Sequence, residues 1–220
     1  YEVTMGLSVT GCFMVYQTLK LTDMATAQDT TFRLFGFLER LVAPEVFSWL
    51  ALVQVPQWGI FLQPLGFIMF LTCMMAENKR PPFDTPEGES EIVAGYFIEY
   101  SGMKFGMFFL TDFLETIMVA CLATTLFFGG WQVPFLLPDG FHFPWGGEVL
   151  FANWFYALLG VASFSIKVLI FCFVFMQIRW TLPRFRYDQL MSLGWKGLFP
   201  IAVANTVLTA VVLVFFGEST

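Results

Sequence analysis

Residues 103–128 read MKFGMFFLTDFLETIMVACLATTLFF, a long run in which one lysine and two carboxylates are the only charged side chains. A helix rises about 1.5 Å per residue, so about 20 such residues cross the hydrocarbon core of a bilayer. Four other stretches are similarly apolar: Val3–Leu21, Trp58–Met75, Phe151–Ile178 and Leu198–Phe216. The sequence therefore predicts an all-α, polytopic bundle of about five transmembrane helices with short cytoplasmic-side helices, forming a single domain over residues 1–220.

Composition supports a membrane protein and excludes other classes. The chain is 57% hydrophobic and only 13% charged, which is far more apolar than ordinary soluble domains. A net charge of −6 argues against a nucleic-acid partner, since binding nucleic acid needs a basic surface. The four cysteines lie singly in apolar runs without a CxxC spacing, so we expect buried structural cysteines and neither a metal site nor a disulfide.

The distribution of cations predicts the orientation. If the five segments alternate in direction, loops 77–102 and 179–197 share one side of the membrane. These two loops carry Lys79, Arg80, Arg179, Arg184, Arg186 and Lys196, whereas the opposite loops, 22–57 and 129–150, carry only Arg33 and Arg40. The positive-inside rule then places loops 77–102 and 179–197 on the cytoplasmic or matrix side. The Gly- and Pro-rich loop 129–150 is predicted to be irregular.

The first of these loops is strongly acidic and contains AENKRPPFDTPEGESEIVAGYFIEY, residues 76–100. Thr85 as an N-cap and Pro86 at the first helical position predict a short helix through Tyr100. Glu87, Glu91 and Glu99 then line one face, where each like-charge pair costs about 0.2–0.5 kcal/mol. Either cations approach this face, or some carboxylates hold protons near neutral pH as a coupled set. The alternative is a solvated acidic surface that docks a basic partner.

Ionisable residues also occur inside the predicted spans. Asp112 and Glu115 are three residues apart on the third span, and Lys167 lies near the middle of the fourth. Each costs about 2.5–3.5 kcal/mol to insert and is expected to line a polar path or to pair with another charge. We interpret these residues, with Glu2 at the cytoplasmic end of the first span, as a proton path. A purely structural alternative makes Lys167 a fixed counter-ion to Asp112 or Glu115.

The second cytoplasmic-side loop is basic and aromatic, and reads RWTLPRFRYDQLMSLGWK over residues 179–196. Such alternation is typical of juxtamembrane segments that bind anionic lipid. The acidic helix on the same side is its second possible partner.

Two motifs, ENKRPPFDTPEGESEIVAGYFIEYSGMKFGMFFL at 77–110 and RWTLPRFRYDQLMSLGWK at 179–196, together resemble one family. It is the membrane subunit of respiratory NADH:quinone oxidoreductase (complex I) that is known as the H subunit in bacteria and chain 1 in mitochondria. The resemblance extends from Tyr1 to about Ala210. The opening YEV is similar to the family's entry into a central transmembrane helix, so we expect the start to be internal, with the family's earlier helices absent and no signal peptide.

The resemblance implies a role in the quinone chamber and at the start of the proton path. Residues implied in the chamber and its proton relay are Asp84, Glu87, Glu89, Glu91 and Glu99. Residues implied at the subunit junction are Arg80, Arg184, Arg186 and Asp188. Asp112 stands where the family usually has Glu in an FFLAEY-like run, here FFLTDF.

The same resemblance implies quinone as the substrate and a large assembly as the catalyst. The chain has no GxGxxG loop and no cysteine set for a cluster, so FMN and iron–sulfur clusters are expected in partner subunits. Expected partners are the peripheral quinone-module subunits, the antiporter-like membrane subunits and membrane lipid, in a bacterial plasma membrane or mitochondrial inner membrane.

Three other functions remain open from the sequence. A homologous subunit could serve a membrane-bound hydrogenase-type complex. The chain could instead be a non-catalytic anchor whose acidic loop only docks a peripheral redox arm. An independent ion transporter is disfavoured, because the chain has few spans and no pair of matched discontinuous helices.

Overall fold

The computed structural model describes residues 1–29, 31–33, 54–79, 82–83, 99–133, 136–137, 140–142, 148–149 and 153–216. Its helices are α1 (Glu2–Tyr16), α2 (Leu21–Ala27), α3 (Gly59–Leu62), α4 (Pro64–Glu77), α5 (Met103–Phe127), α6 (Asn153–Thr181), α7 (Tyr187–Ser192) and α8 (Phe199–Phe216). A π-helical turn over Leu193–Leu198 joins α7 to α8.

Three helices are long and apolar enough to cross a membrane: Met103–Phe127, Trp154–Thr181 and the continuous helix Tyr187–Phe215. With 25 residues, α5 is about 37 Å long, which exceeds the roughly 30 Å hydrocarbon core. Large apolar side chains such as Leu110 and Ile166 are exposed on these helices, as lipid contact requires. The prediction of an all-α, multi-pass membrane bundle is confirmed.

The two other predicted spans are shorter as helices than the sequence indicated. α1 has 15 residues and ends at Tyr16, where Gln17 adopts a left-handed conformation with φ 53°. The predicted span Trp58–Met75 is divided into α3 and α4 at Gln63, whose φ of −134° is not helical. Pro64 occupies the first turn of α4, where its missing N–H leaves no hydrogen bond unmade.

The last helix begins earlier than predicted. It starts at Tyr187 rather than Leu198, and the second half of the basic loop is therefore helical. The backbone N–H of Arg186 donates to Oε1 of Gln189 at 3.2 Å and stabilises this start. The hydropathy of the sequence marks the membrane-buried part of this helix, and its polar first turns lie outside that signal.

Helix α1 packs between α4 and α8. Close approach to α4 depends on glycine, because a Cβ on Gly11 would lie 3.1 Å from Oε1 of Gln63, and one on Gly66 would lie 3.2 Å from the carbonyl oxygen of Ser8. The aromatic core beside it includes the rings of Phe70 and Phe127, whose centroids are 5.4 Å apart. These contacts bring α5 against α4.

Short antiparallel strands lie in the two loops on the opposite side from the acidic loop. β1 (Thr31–Arg33) pairs with β2 (Gln54–Pro56), and β3 (Leu136–Leu137), β4 (Gly140–His142) and β5 (Glu148–Val149) form a three-stranded ladder. Loop 129–150 is therefore less irregular than predicted. All four cysteines are free, and Cys12 and Cys73 are buried in the helix bundle.

Candidate functional site

The acidic and basic loops meet at one end of the bundle. The backbone N–H of Phe185 donates to the carbonyl of Pro82 at 2.9 Å. The ring of Phe83, which is 5% exposed, lies against the ring of Phe185 with centroids 5.4 Å apart. These contacts agree with the predicted topology, in which loops 77–102 and 179–197 share a side of the membrane.

The start of α1 lies at the same end. The hydroxyl of Tyr1 donates to the carbonyl of Leu190 at 3.4 Å, and Glu2 is exposed at the first turn of α1. Leu190 in turn packs with Phe83 and Ala76 in a small apolar cluster. Glu2 is thus brought to the side of the membrane that holds both motif-bearing loops.

Most of the predicted acidic helix lies outside the described residues, and with it Arg80, Asp84, Glu87, Glu89 and Glu91. Of the remaining loop residues, Glu99 is exposed just before α5, and Arg184, Arg186 and Asp188 are exposed in the basic loop. Nε of Arg186 lies 3.1 Å from a carboxylate oxygen of Asp188, with 81% and 73% of the two side chains exposed. An ion pair this exposed contributes little stability.

A cavity of about 540 Å³ opens between the cytoplasmic-side ends of α4, α5 and α6. Most of its wall is apolar, and its polar groups include Asn78 and Arg179 beside Trp180. Its wall is formed by Met75, Asn78, Phe113, Thr116, Ile117, Cys172, Phe175, Met176, Arg179 and Trp180. An apolar hollow with a few polar groups is the common form of a site for small organic ligands.

Asp112 and Glu115 lie on α5 next to this cavity. Both are half-buried, and three residues in a helix separate side chains by about 60° around the axis, so the two carboxylates share a face. The hydroxyl of Thr116, a wall residue, donates to the carbonyl of Asp112 at 3.0 Å. The predicted carboxylate pair is therefore brought beside this apolar hollow.

Lys167 lies elsewhere. Its Nζ donates to the carbonyls of Phe128, Gly130 and Gln132 at 2.7, 3.1 and 2.6 Å, just beyond the C-terminal end of α5. Glu115 is thirteen residues before Phe128, which corresponds to about 20 Å along the helix. The structural alternative of a counter-ion to Asp112 or Glu115 does not describe these contacts.

Two polar groups in the bundle escaped the sequence analysis. The first is Gln28, fully buried, which bonds the same end of α5. The second is the set of Gln63, Asn205 and Thr209, all buried and hydrogen-bonded between the α3–α4 break and α8. Polar residues within apolar runs were the available signal for the second group, whereas Gln28 lies in a polar segment and gave none.

No group of three or more His, Cys, Asp and Glu side chains that could hold a metal occurs among the residues that the structure describes. Carboxylates and backbone carbonyls are therefore the chemistry that these residues offer: proton exchange by the former and hydrogen-bond acceptance by the latter.

Comparison with known proteins shows the family. The sequence profile of the NADH dehydrogenase family matches residues 1–210. The chain belongs to this family. It is 42% identical to the H subunit of NADH-quinone oxidoreductase from Bdellovibrio bacteriovorus, over 97% of this chain and 54% of that relative.

Other relatives agree. The chain is 39% identical to the H subunit of NADH-quinone oxidoreductase from Salinibacter ruber, over 99% of this chain and 56% of the relative. It is 40% identical to the second of the numbered H subunits of NADH-quinone oxidoreductase from Geobacter sulfurreducens, over 98% of this chain and 51% of the relative. The chain thus spans about half the length of the curated relatives it matches.

Proposed function

We propose that the chain is a membrane subunit of a proton-translocating NADH:quinone oxidoreductase, where it contributes to the quinone chamber and couples quinone reduction to proton movement. The observation that carries the proposal is the family match over residues 1–210, which includes both motif-bearing loops. FMN and iron–sulfur clusters would belong to partner subunits of the peripheral arm, and antiporter-like subunits would continue the proton path in an energy-transducing membrane.

The cavity between α4, α5 and α6 supports the quinone part of the proposal. A quinone has a polar ring and an apolar tail, so it needs an apolar enclosure with polar groups at one end. The hollow of about 540 Å³ has this character, with Asn78 and Arg179 among its few polar groups. It opens on the side where Phe83 and Phe185 join the two loops.

The carboxylates support the proton part. Quinone reduction consumes two electrons and two protons, and the protons must come from groups that titrate near the working pH. Asp84, Glu87, Glu89, Glu91 and Glu99 would supply and relay protons at the chamber. Asp112 and Glu115 on α5 would carry them into the membrane, with Glu2 at the entrance and Lys167 as the cation of this path.

Replacing Glu87 and Glu91 together by Gln tests the proposal. The substitution keeps shape but removes two exchangeable protons, so we expect NADH-driven quinone reduction, proton pumping or both to fall in vesicles that carry the assembled complex. Asp23→Asn, an exposed site on the opposite side, is the matched control. Unchanged reduction and pumping in the double variant would instead support the anchor function. Hydrogen consumption without NADH:quinone activity would support the hydrogenase-type complex.

A further inference from the structure

We propose that Lys167 is a positioning residue: a fixed cation that closes the C-terminal end of α5 and holds the helix that carries Asp112 and Glu115. It does not exchange protons during turnover. The inference specifies the part that Lys167 takes in the proposed proton path, and its stability arm does not depend on that function.

The geometry matches each donor of the ammonium to one acceptor. A lysine ammonium has three N–H groups, and Nζ of Lys167 donates to three carbonyls, those of Phe128, Gly130 and Gln132, at 2.6–3.1 Å. All three acceptors belong to the chain that leaves α5. Charged hydrogen bonds of this kind are stronger than neutral ones.

The position explains why a cation is needed there. The last carbonyls of a helix have no intrahelical partner and form the negative end of its dipole. The chain after α5 then folds back on the middle of α6, where a Cβ on Gly160 would lie 3.6 Å from the carbonyl oxygen of Trp131. Non-helical backbone at membrane depth is tolerated only where protein groups satisfy it.

A second side chain completes the same closure. Nε2 of Gln28 donates to the carbonyls of Thr125 and Leu126 at 3.1 and 3.2 Å, and its Oε1 accepts the N–H of Gly129 at 2.7 Å. Gln28 and Lys167 together bond carbonyls on both sides of the end of α5. Gln28 cannot titrate, so one of the two closing groups is necessarily structural.

The surroundings of Lys167 disfavour proton exchange through these contacts. Backbone carbonyls accept hydrogen bonds but do not take up protons near neutral pH, so none of the three can receive a proton from Nζ. The ring of Trp58 covers the ammonium, with Nζ 4.7 Å from its centroid, and adds a cation–π attraction that exists only while the charge is present.

Substituting Arg and Met separates the two roles. Lys167→Arg keeps a positive charge that is not lost at any working pH, and its donors can still reach carbonyls at the end of α5. Lys167→Met keeps the length of the side chain and removes the charge. Lys20→Met is the matched control, because the side chain of Lys20 is 79% exposed and its ammonium lies 3.9 Å from a surface carboxylate, that of Asp23.

The readouts are the melting temperature and yield of the assembled complex, and protons pumped per NADH oxidised. We expect Lys167→Met to lower melting temperature and yield severalfold more than Lys20→Met, and Lys167→Arg to restore both with an unchanged pumping ratio. The proposal is overturned if Lys167→Arg assembles but does not pump, or if Lys167→Met melts like Lys20→Met. If the wild-type complex neither reduces quinone nor pumps, the proposed function fails, while the melting comparison still decides the role of the cation.

Discussion

The side-chain amide of Gln63 donates a hydrogen bond to the hydroxyl of Thr209 at 2.7 Å and so joins the break between α3 and α4 to α8. Its Oε1 accepts a second bond from Nδ2 of Asn205 at 3.1 Å. Gln63 is only 6% exposed, so these bonds satisfy an amide that would otherwise be buried without partners. The break in the helix is thus held by α8, a distant part of the chain.

Replacing Thr209 by Val tests this connection. Valine has nearly the same shape but no acceptor, which leaves the Gln63 amide unpaired, and we expect the free energy of unfolding to fall by about 1–3 kcal/mol. The measurement is thermal unfolding of the complex in detergent. Thr10→Val is the control, since the Thr10 hydroxyl is exposed and donates within its own helix to the carbonyl of Gly6. Equal melting temperatures for the two variants would contradict the connection.

Glycine at position 59 sets how closely α3 approaches the end of α5. A Cβ there would lie 2.5 Å from the carbonyl oxygen of Leu126 and 3.1 Å from Cα of Phe127. Because backbone atoms cannot swing aside, Gly59→Ala must move one helix, and we expect a lower yield and melting temperature of the complex. In the control Gly106→Ala, the new methyl group meets nothing within 4 Å, and a change as large there would show that the effect at position 59 is not steric.

Asp29 predicts a pH dependence of stability. Burial raises the pKa of its carboxyl above the ordinary value, so folding favours the protonated form. The stability from this group is complete below the unfolded-state pKa and is lost as the pH rises through the higher folded-state pKa. We expect Asp29→Asn, which is neutral at every pH, to melt above wild type near pH 7 and to lose that advantage in acid.

The measurement is the melting temperature of both proteins from about pH 3 to pH 8, which brackets the ordinary aspartate pKa. Asp23→Asn serves as the control because Asp23 is exposed on the preceding helix. A gap between Asp29→Asn and wild type that stays constant with pH would show that the carboxyl of Asp29 does not cause it.

Asp112 provides a test of the proton path within the membrane. Asp112→Asn removes an exchangeable proton from α5, and we expect proton pumping to fall by about tenfold or more, since losing an acid–base group has a large effect on rate. Asp112→Glu keeps the carboxylate and introduces the residue that is usual in the family, so pumping should persist. Pumping assays in sealed vesicles measure both. Full pumping by Asp112→Asn would remove this residue from the path.

The sequence predicted the long helices well because the thickness of the bilayer sets how many apolar residues they need. It predicted α5 and α6 within a few residues for that reason. It did not predict the break at Gln63, because the groups that satisfy the break, Asn205 and Thr209, are far away along the chain. Local propensity carries no information about such partners.

The candidate site was predicted in kind more than in arrangement. Intramembrane charge correctly singled out Asp112, Glu115 and Lys167 as groups that need an explanation. It could not show that Lys167 bonds to backbone carbonyls, because every residue has a carbonyl and the side-chain pattern does not reveal which ones lack a partner. Only the end of α5 packed against α6 identifies them.

The π-helical turn over Leu193–Leu198 determines the angular relation between the two halves of the last helix. Each residue advances an α-helix by about 100°, and the wider turn accommodates one extra residue. Leu190 therefore faces Phe83, while Asn205 still faces Gln63. Loss of a single residue from this turn would rotate one half against the other, so only one of these two contacts could survive such a deletion.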